Sequence, residues 1–168
     1  MATRGRPIYT ESSRWPGWIQ IIFWGTMLLS IAAMAASPSK SPVGRMVGVV
    51  SLVAVLVLTE WLVAGLKVRL YPEHMEVGLG NAGLIHKRVR YEDIEEVESV
   101  KYHPLAEFGG WGIRFNGKKR AWTARGDSAL VLHMADGILL YVGSDKPQRL
   151  EERIRAVGGA RIGRKEST

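Results

Sequence analysis

The chain of 168 residues contains no cysteine. Disulfide scaffolds, thiolate metal sites and cysteine nucleophiles are therefore excluded. Charge is almost missing from one long stretch. Of the 23 basic and 16 acidic residues, four lie in 1–14, three in 15–66 (Lys40, Arg45, Glu60) and 32 in 67–168. The middle segment cannot be a soluble domain of its own, whereas the last 102 residues suffice for one compact core. The four histidines, His74, His86, His103 and His133, sit in separate segments without metal-ligand spacing. No Ser-His-Asp pattern or nucleophile elbow is present either. The expectation is a protein that is not an enzyme and uses no cofactor.

What fills the charge-poor stretch is two apolar runs. No charged side chain lies between Trp15 and Ser39, and Trp18 to Ala36 gives 19 mostly apolar residues. At about 1.5 Å per residue these match a hydrocarbon core of about 30 Å. The second run, Met46 to Leu66, holds a single charge, Glu60. Its Val- and Leu-rich middle suits a strand by propensity but is too long for one. Both runs predict transmembrane helices, over about 18–36 and 46–66, joined by the short Pro-punctuated connector Ser37–Pro42 into a hairpin. A cleaved leader is the rival for the first run, with Ala33-Met34-Ala35 as its cleavage site. The apolar stretch is too long for that, and Trp15, Trp18 and Trp24 suit interfacial anchors. Arg4, Arg6, Arg14, Lys67 and Arg69 flank the hairpin, against Lys40 and Arg45 in its connector. That bias predicts an inner (cytoplasmic) membrane protein with both termini cytoplasmic. Two readings fit Glu60: an intramembrane polar site, or a headgroup-level carboxylate pairing with Lys67 or Arg14.

From Lys67 the apolar period changes to two. Strands are predicted at 67–71, 75–79, 84–89, 94–101, 111–115, 118–123, 128–134 and 138–142, with an Asn116-Gly117 type I′ turn and an Ala135-Asp136-Gly137 turn. Asp145-x-x-Gln148 reads as a capping box for a final helix whose Leu150, Ile154 and Val157 share a face, ended by Gly158-Gly159. The domain reading is a basic tail (1–14), a two-helix hairpin (15–66), a β domain with its helix (67–157) and a disordered tail (158–168). The fold class is α+β: a transmembrane helical hairpin followed by a small antiparallel β-barrel or sandwich capped by a C-terminal helix.

The run Tyr102-His103-Pro104-Leu105-Ala106-Glu107-Phe108-Gly109-Gly110-Trp111-Gly112-Ile113-Arg114, followed by Gly143-Ser144-x-x-Pro147, resembles uncharacterised small two-pass bacterial membrane proteins with a bacterial pleckstrin-homology-like (PH-like) domain. The resemblance spans residues 17–157 and implies a seven-stranded barrel with a C-terminal helix. It carries no catalytic residues.

Other motifs dissolve on inspection. Gly78-x-Gly80-x-x-Gly83 satisfies the dinucleotide pattern, but a strand rather than a helix is predicted after it. Gly112–Lys119 nearly matches a phosphate loop and lacks the Ser/Thr and the helix. Glu92, Asp93, Glu95, Glu96 and Glu98 do not have calcium-loop spacing. Lys87, Arg88 and Arg90 form one basic cluster and Lys118, Lys119 and Arg120 another. With a membrane anchor beside them, nucleic acid is not the expected partner.

The functional expectation is a membrane-anchored binding or scaffolding module, its partners the lipid bilayer and a membrane or cytoplasmic protein, self-association included. The alternative is a subunit of a transport or sensing complex acting through the hairpin and Glu60. An up-and-down strand order would return Gly80–Gly83 and Tyr102–Gly110 to the membrane end. There Tyr102, Leu105 and Phe108, with Lys67 and Arg69, would contact lipid or partner; otherwise Leu105 and Phe108 cover the core. Trp111, between Gly109-Gly110 and Gly112, is expected as a buried structural hinge, with an exposed aromatic anchor as the alternative.

Overall fold

The computed structural model describes residues 6–15, 17–36, 41–63, 65–80 and 85–163, and within these not the side chains of 19 and 60–63. The chain opens with strand β1 (Tyr9–Ser13), then helices α1 (Gly17–Ala36) and α2 (Pro42–Val63), and strands β2 (Leu66–Leu70), β3 (His74–Leu79) and β4 (Ile85–Arg90). A 3-10 turn (Tyr91–Asp93) leads to β5 (Ile94–Lys101), the short helix α3 (Pro104–Phe108), and strands β6 (Gly112–Asn116), β7 (Lys119–Thr123), β8 (Ser128–Met134) and β9 (Leu139–Gly143). Helix α4 (Pro147–Gly158) and a final 3-10 turn (Gly159–Arg161) close it. The class is α+β, with two sheets and a C-terminal helix.

The first sheet has the order β1-β2-β3-β4, all antiparallel. The second has the order β5-β8-β9-β7-β6, in which β7 and β9 run parallel. An antiparallel barrel or sandwich was expected; the pairs are antiparallel except β7–β9, which makes the second sheet mixed. Strand β9 pairs antiparallel with β8 on one edge and parallel with β7 of the β6–β7 hairpin on the other. The main core lies between the sheets: Val68, Leu70, Met75, Val77, Leu130, Leu132, Leu140 and Val142 are buried there, with Leu150 and Ile154 of α4.

Six local expectations are revised. Tyr9–Ser13, read as tail, is the edge strand β1, in register from Tyr9↔Leu70 to Ser13↔Leu66. Helix α2 starts earlier than Met46, because the Ser41 hydroxyl accepts the Gly44 N–H at 3.1 Å and Pro42 suits a first helical position. It also ends earlier, since Leu66 is already the first residue of β2 and fully buried. The β6–β7 hairpin loop is Gly117-Lys118, with positive φ at Gly117 only, the pattern of a type II′ turn rather than I′. The capping box is absent: α4 has no side-chain cap, because the Asp145 carboxylate is taken by Arg125 at 2.9 and 2.6 Å. The tail begins later than 158, because Ile162 packs on the core and the Gly163 N–H donates to the Ile94 carbonyl at 2.9 Å.

Candidate functional site: the helix-proximal end of the β domain

Strands β1 and β2 are neighbours in the sheet, yet α1 and α2 lie between them in the chain. Both helices therefore leave the domain from one pair of adjacent strands. At that foot Gly65 has φ +90°, and a Cβ there would lie 2.9 Å from the Ser13 carbonyl oxygen. The Gly65 carbonyl accepts the Gly80 N–H at 2.9 Å, so the β3–β4 connection returns to the same end. Residues 81–84, which include the rest of the glycine motif, lie outside the described residues.

The helices are apolar and uncovered. Ile21 is 74% exposed, Leu29 72% and Val50 62%. One helix, α2, is long and apolar enough to cross a membrane by length and composition, over Pro42–Thr59; α1 contributes the shorter apolar stretch Gln20–Ala36. The two meet where Gly48 faces the end of the Met34 side chain, and Arg45 donates to the Ala35 carbonyl at 3.2 Å.

Tryptophans join hairpin and domain. Trp15 packs against the main core. Trp18 meets Trp111 edge-on, ring centroids 6.2 Å apart, and the Trp111 indole N–H donates to the Gly126 carbonyl at 2.8 Å. Trp111 is thus half-buried rather than enclosed. The expected buried hinge is corrected: the ring lies between α1 and the loop after β7. Gly109 (φ +69°) ends α3, and Gly110 (φ +123°) and Gly112 (φ +110°) also hold conformations that side chains disfavour. These glycines let the chain turn from α3 into β6 and set Trp111 against Trp18.

Of the contact residues proposed from sequence, Tyr102 and Phe108 are 3% and 8% exposed and face inward, which corrects their assignment to a membrane or partner surface. Phe108 meets Tyr141 edge-on (5.1 Å) and Tyr102 meets it at a tilt (5.8 Å) over Ala121, Ala129 and Val131, on the face of the second sheet away from the main core. That face is itself apolar and needs a cover, which α3 supplies. The signal was in the sequence: Ala129–Leu132 and Leu139–Val142 are continuous apolar runs, the pattern of strands buried on both faces. Leu105 alone of the three is outward, 69% exposed. Glu107 anchors the underside of α3. The His103 N–H bonds its carboxylate at 3.0 Å and Lys119 reaches it at 3.2 Å; these, the backbone bond first, hold its pKa below the usual range.

Lys67 and Arg69 lie on the outer face of the first sheet, opposite Ser12 and Thr10 on β1 and Gly78 and Glu76 on β3. Glu76 pairs with Arg88 at 3.0 Å. Burial pushes its carboxyl up, but Arg88 and His74 together hold it below its ordinary value. The side chain of Glu60 lies outside the described residues.

Two contacts at this end had no counterpart in the sequence reading. The Ser144 hydroxyl donates to Glu11 at 2.5 Å while accepting the Lys146 N–H at 3.0 Å, which ties β1 to the start of α4. Arg153 lies over the Tyr9 ring at 5.9 Å. Among the described residues no group of three or more metal-ligating side chains converges. No protein-family model matches the chain, and no curated protein matches it.

Proposed function

We propose that this chain is a membrane-anchored binding module. In this reading α1 and α2 cross the bilayer as a hairpin, and a PH-like β domain stands on the cytoplasmic face and recruits a partner without catalysing a reaction. The observation that carries it is the β1–β2 ladder on either side of an uncovered apolar hairpin. Two strands hydrogen-bonded to each other lie on the same side of a membrane. The chain between them then crosses an even number of times, so a single crossing by α2 is incompatible with the ladder. A cleaved leader would also take β1 with it and strip Ser144 of Glu11. The five flanking cations against two in the connector favour the cytoplasm for that shared side. Trp15, Trp18 and Trp111 at the foot of the helices suit the headgroup level. Two sheets closed by a C-terminal helix favour the PH-like description, with nine strands, β1 included, in place of the seven of that plan.

The test is alkaline carbonate extraction of membranes together with single-cysteine labelling in this cysteine-free chain. The protein should stay with the membrane, S41C should react with an impermeant maleimide from outside intact cells, and E73C only after lysis. Release by carbonate, or labelling of both positions from one side, would sink the reading.

A further inference from the structure

Two cations stand in the middle of the first sheet without an ion pair. Lys67 and Arg69 alternate with the buried Leu66, Val68 and Leu70 along β2, so both lie on the sheet's outer face, on an inner strand rather than an edge. Each is half-buried, and neither forms an ion pair among the described residues.

The register sets out what surrounds them. In the row nearer the helices Lys67 lies between Ser12 on β1 and Gly78 on β3, with His86 of β4 beyond Gly78. In the next row Arg69 lies between Thr10 and Glu76, with Arg88 beyond. The carboxylate of these rows, Glu76, is met by Arg88 at 3.0 Å and by His74 at 3.5 Å. Ser12 and Thr10 are exposed and bring hydroxyl donors. The face therefore offers two cations and two hydroxyls around a position that has no side chain.

Gly78 is not required by the backbone. Its φ is not positive, and a Cβ there would meet the Ile85 carbonyl oxygen and the His86 Cβ at ordinary contact distances of 3.5 and 3.6 Å. Glycine inside a strand forfeits stability. Where neither conformation nor crowding demands it, the missing side chain marks a place that another group approaches. Here that notch opens beside Lys67.

Its height selects the approaching group. The row is one residue, about 3.3 Å, from the Ser13↔Leu66 pair and Gly65, where the two helices leave the sheet. With α1 and α2 crossing the bilayer, it stands in the headgroup layer, roughly 5–7 Å deep on each side. The anion at that level is the phospholipid phosphate. An ammonium, a guanidinium and hydroxyls are the donors a phosphate takes.

We propose that the membrane-proximal part of this face binds an anionic phospholipid, its phosphate resting in the notch over Gly78 against Lys67 and Ser12, with Arg69 and Thr10 behind them. The proposal rests on the hairpin reading and gives the binding module a lipid ligand.

The test is native mass spectrometry of the full chain in detergent micelles, titrated with phosphatidylglycerol or with phosphatidylcholine, whose headgroup cation offsets its phosphate. Wild type should hold phosphatidylglycerol about tenfold or more tightly, and K67Q/R69Q should lose that preference. K118Q/R120Q, which removes as much charge at the β6–β7 hairpin, should keep it. Gly78→Val should lose the preference while melting no lower than wild type. No preference in wild type, a preference kept in K67Q/R69Q or in Gly78→Val, or one lost equally in K118Q/R120Q would each overturn the proposal. A lower melting temperature in Gly78→Val would do so too, since the glycine would then be structural. Displacement of the lipid by millimolar inorganic phosphate or by hexaglutamate would assign the face to a soluble anion instead. Carbonate extraction and labelling of the same protein test anchoring separately, so an anchored chain without lipid preference removes this inference alone.

Discussion

Gly65 sits where β1 and β2 are closest to the helices. Its φ of +90° strains any other residue, and a Cβ would press on the Ser13 carbonyl, a backbone atom that cannot yield without breaking the ladder. Gly65→Ala should cost about 1–3 kcal/mol in denaturant melts of the full chain. At α3 the neighbouring apolar residues should behave oppositely. Phe108→Ala should cost about 3–5 kcal/mol, because the ring is buried against Tyr102 and Tyr141. Leu105→Ser should stay within about 0.5 kcal/mol of wild type. Equal costs in the two variants would contradict the inward turn of Phe108. The sequence offered Tyr102, Leu105 and Phe108 as one group, and spacing within a short loop could not say which would turn in.

At the scale of elements, the start of α4 shows how an expected cap is replaced by tertiary partners. Asp145 reads as the cap, but Arg125 draws its carboxylate away, and that hydrogen bond is the main reason its pKa lies below the ordinary aspartate range. A carboxyl depressed on folding stabilises the fold above its unfolded pKa, and the contribution fades as pH falls through the folded value. Wild type should therefore melt above R125Q at neutral pH, with the difference closing in acid below the aspartate range. A difference unchanged with pH would remove Asp145 from the account. Ser144 serves the helix end and β1 at once, so Ser144→Ala should cost about 1–3 kcal/mol and raise amide exchange in Tyr9–Ser13. The strands from β2 onward were legible because alternation is local: Leu66, Val68 and Leu70 are buried while Lys67 and Arg69 are partly exposed. Strand β1 was not legible. Its sequence, Tyr-Thr-Glu-Ser-Ser, has no apolar stripe and becomes a strand only because β2 offers a free edge.

For the whole molecule, the ladder links topology to fold. Breaking it should release β1 and lower stability. Replacing both Tyr9 and Ser13, whose N–H groups face β2, by proline, which cannot donate to a sheet, should unpair β1 and make an E11C label more reactive from the domain's side. No change in E11C reactivity would mean that β1 does not depend on this pairing. The same arrangement gives physical sense to the tryptophans: Trp18 belongs to a helix and Trp111 to the β domain, and only the folded chain brings them to 6.2 Å.

The sequence by itself determined the two apolar helices, the change of period near residue 67, the strand-rich domain after it and the closing helix. Each of these rests on composition or on a repeat within a few residues. Tertiary structure alone decided which strand shelters β2, the parallel docking of β7 on β9, and the inward turn of Tyr102 and Phe108. Those outcomes depend on register and on which edge remains free once other strands have paired, and no local period encodes a choice between distant partners.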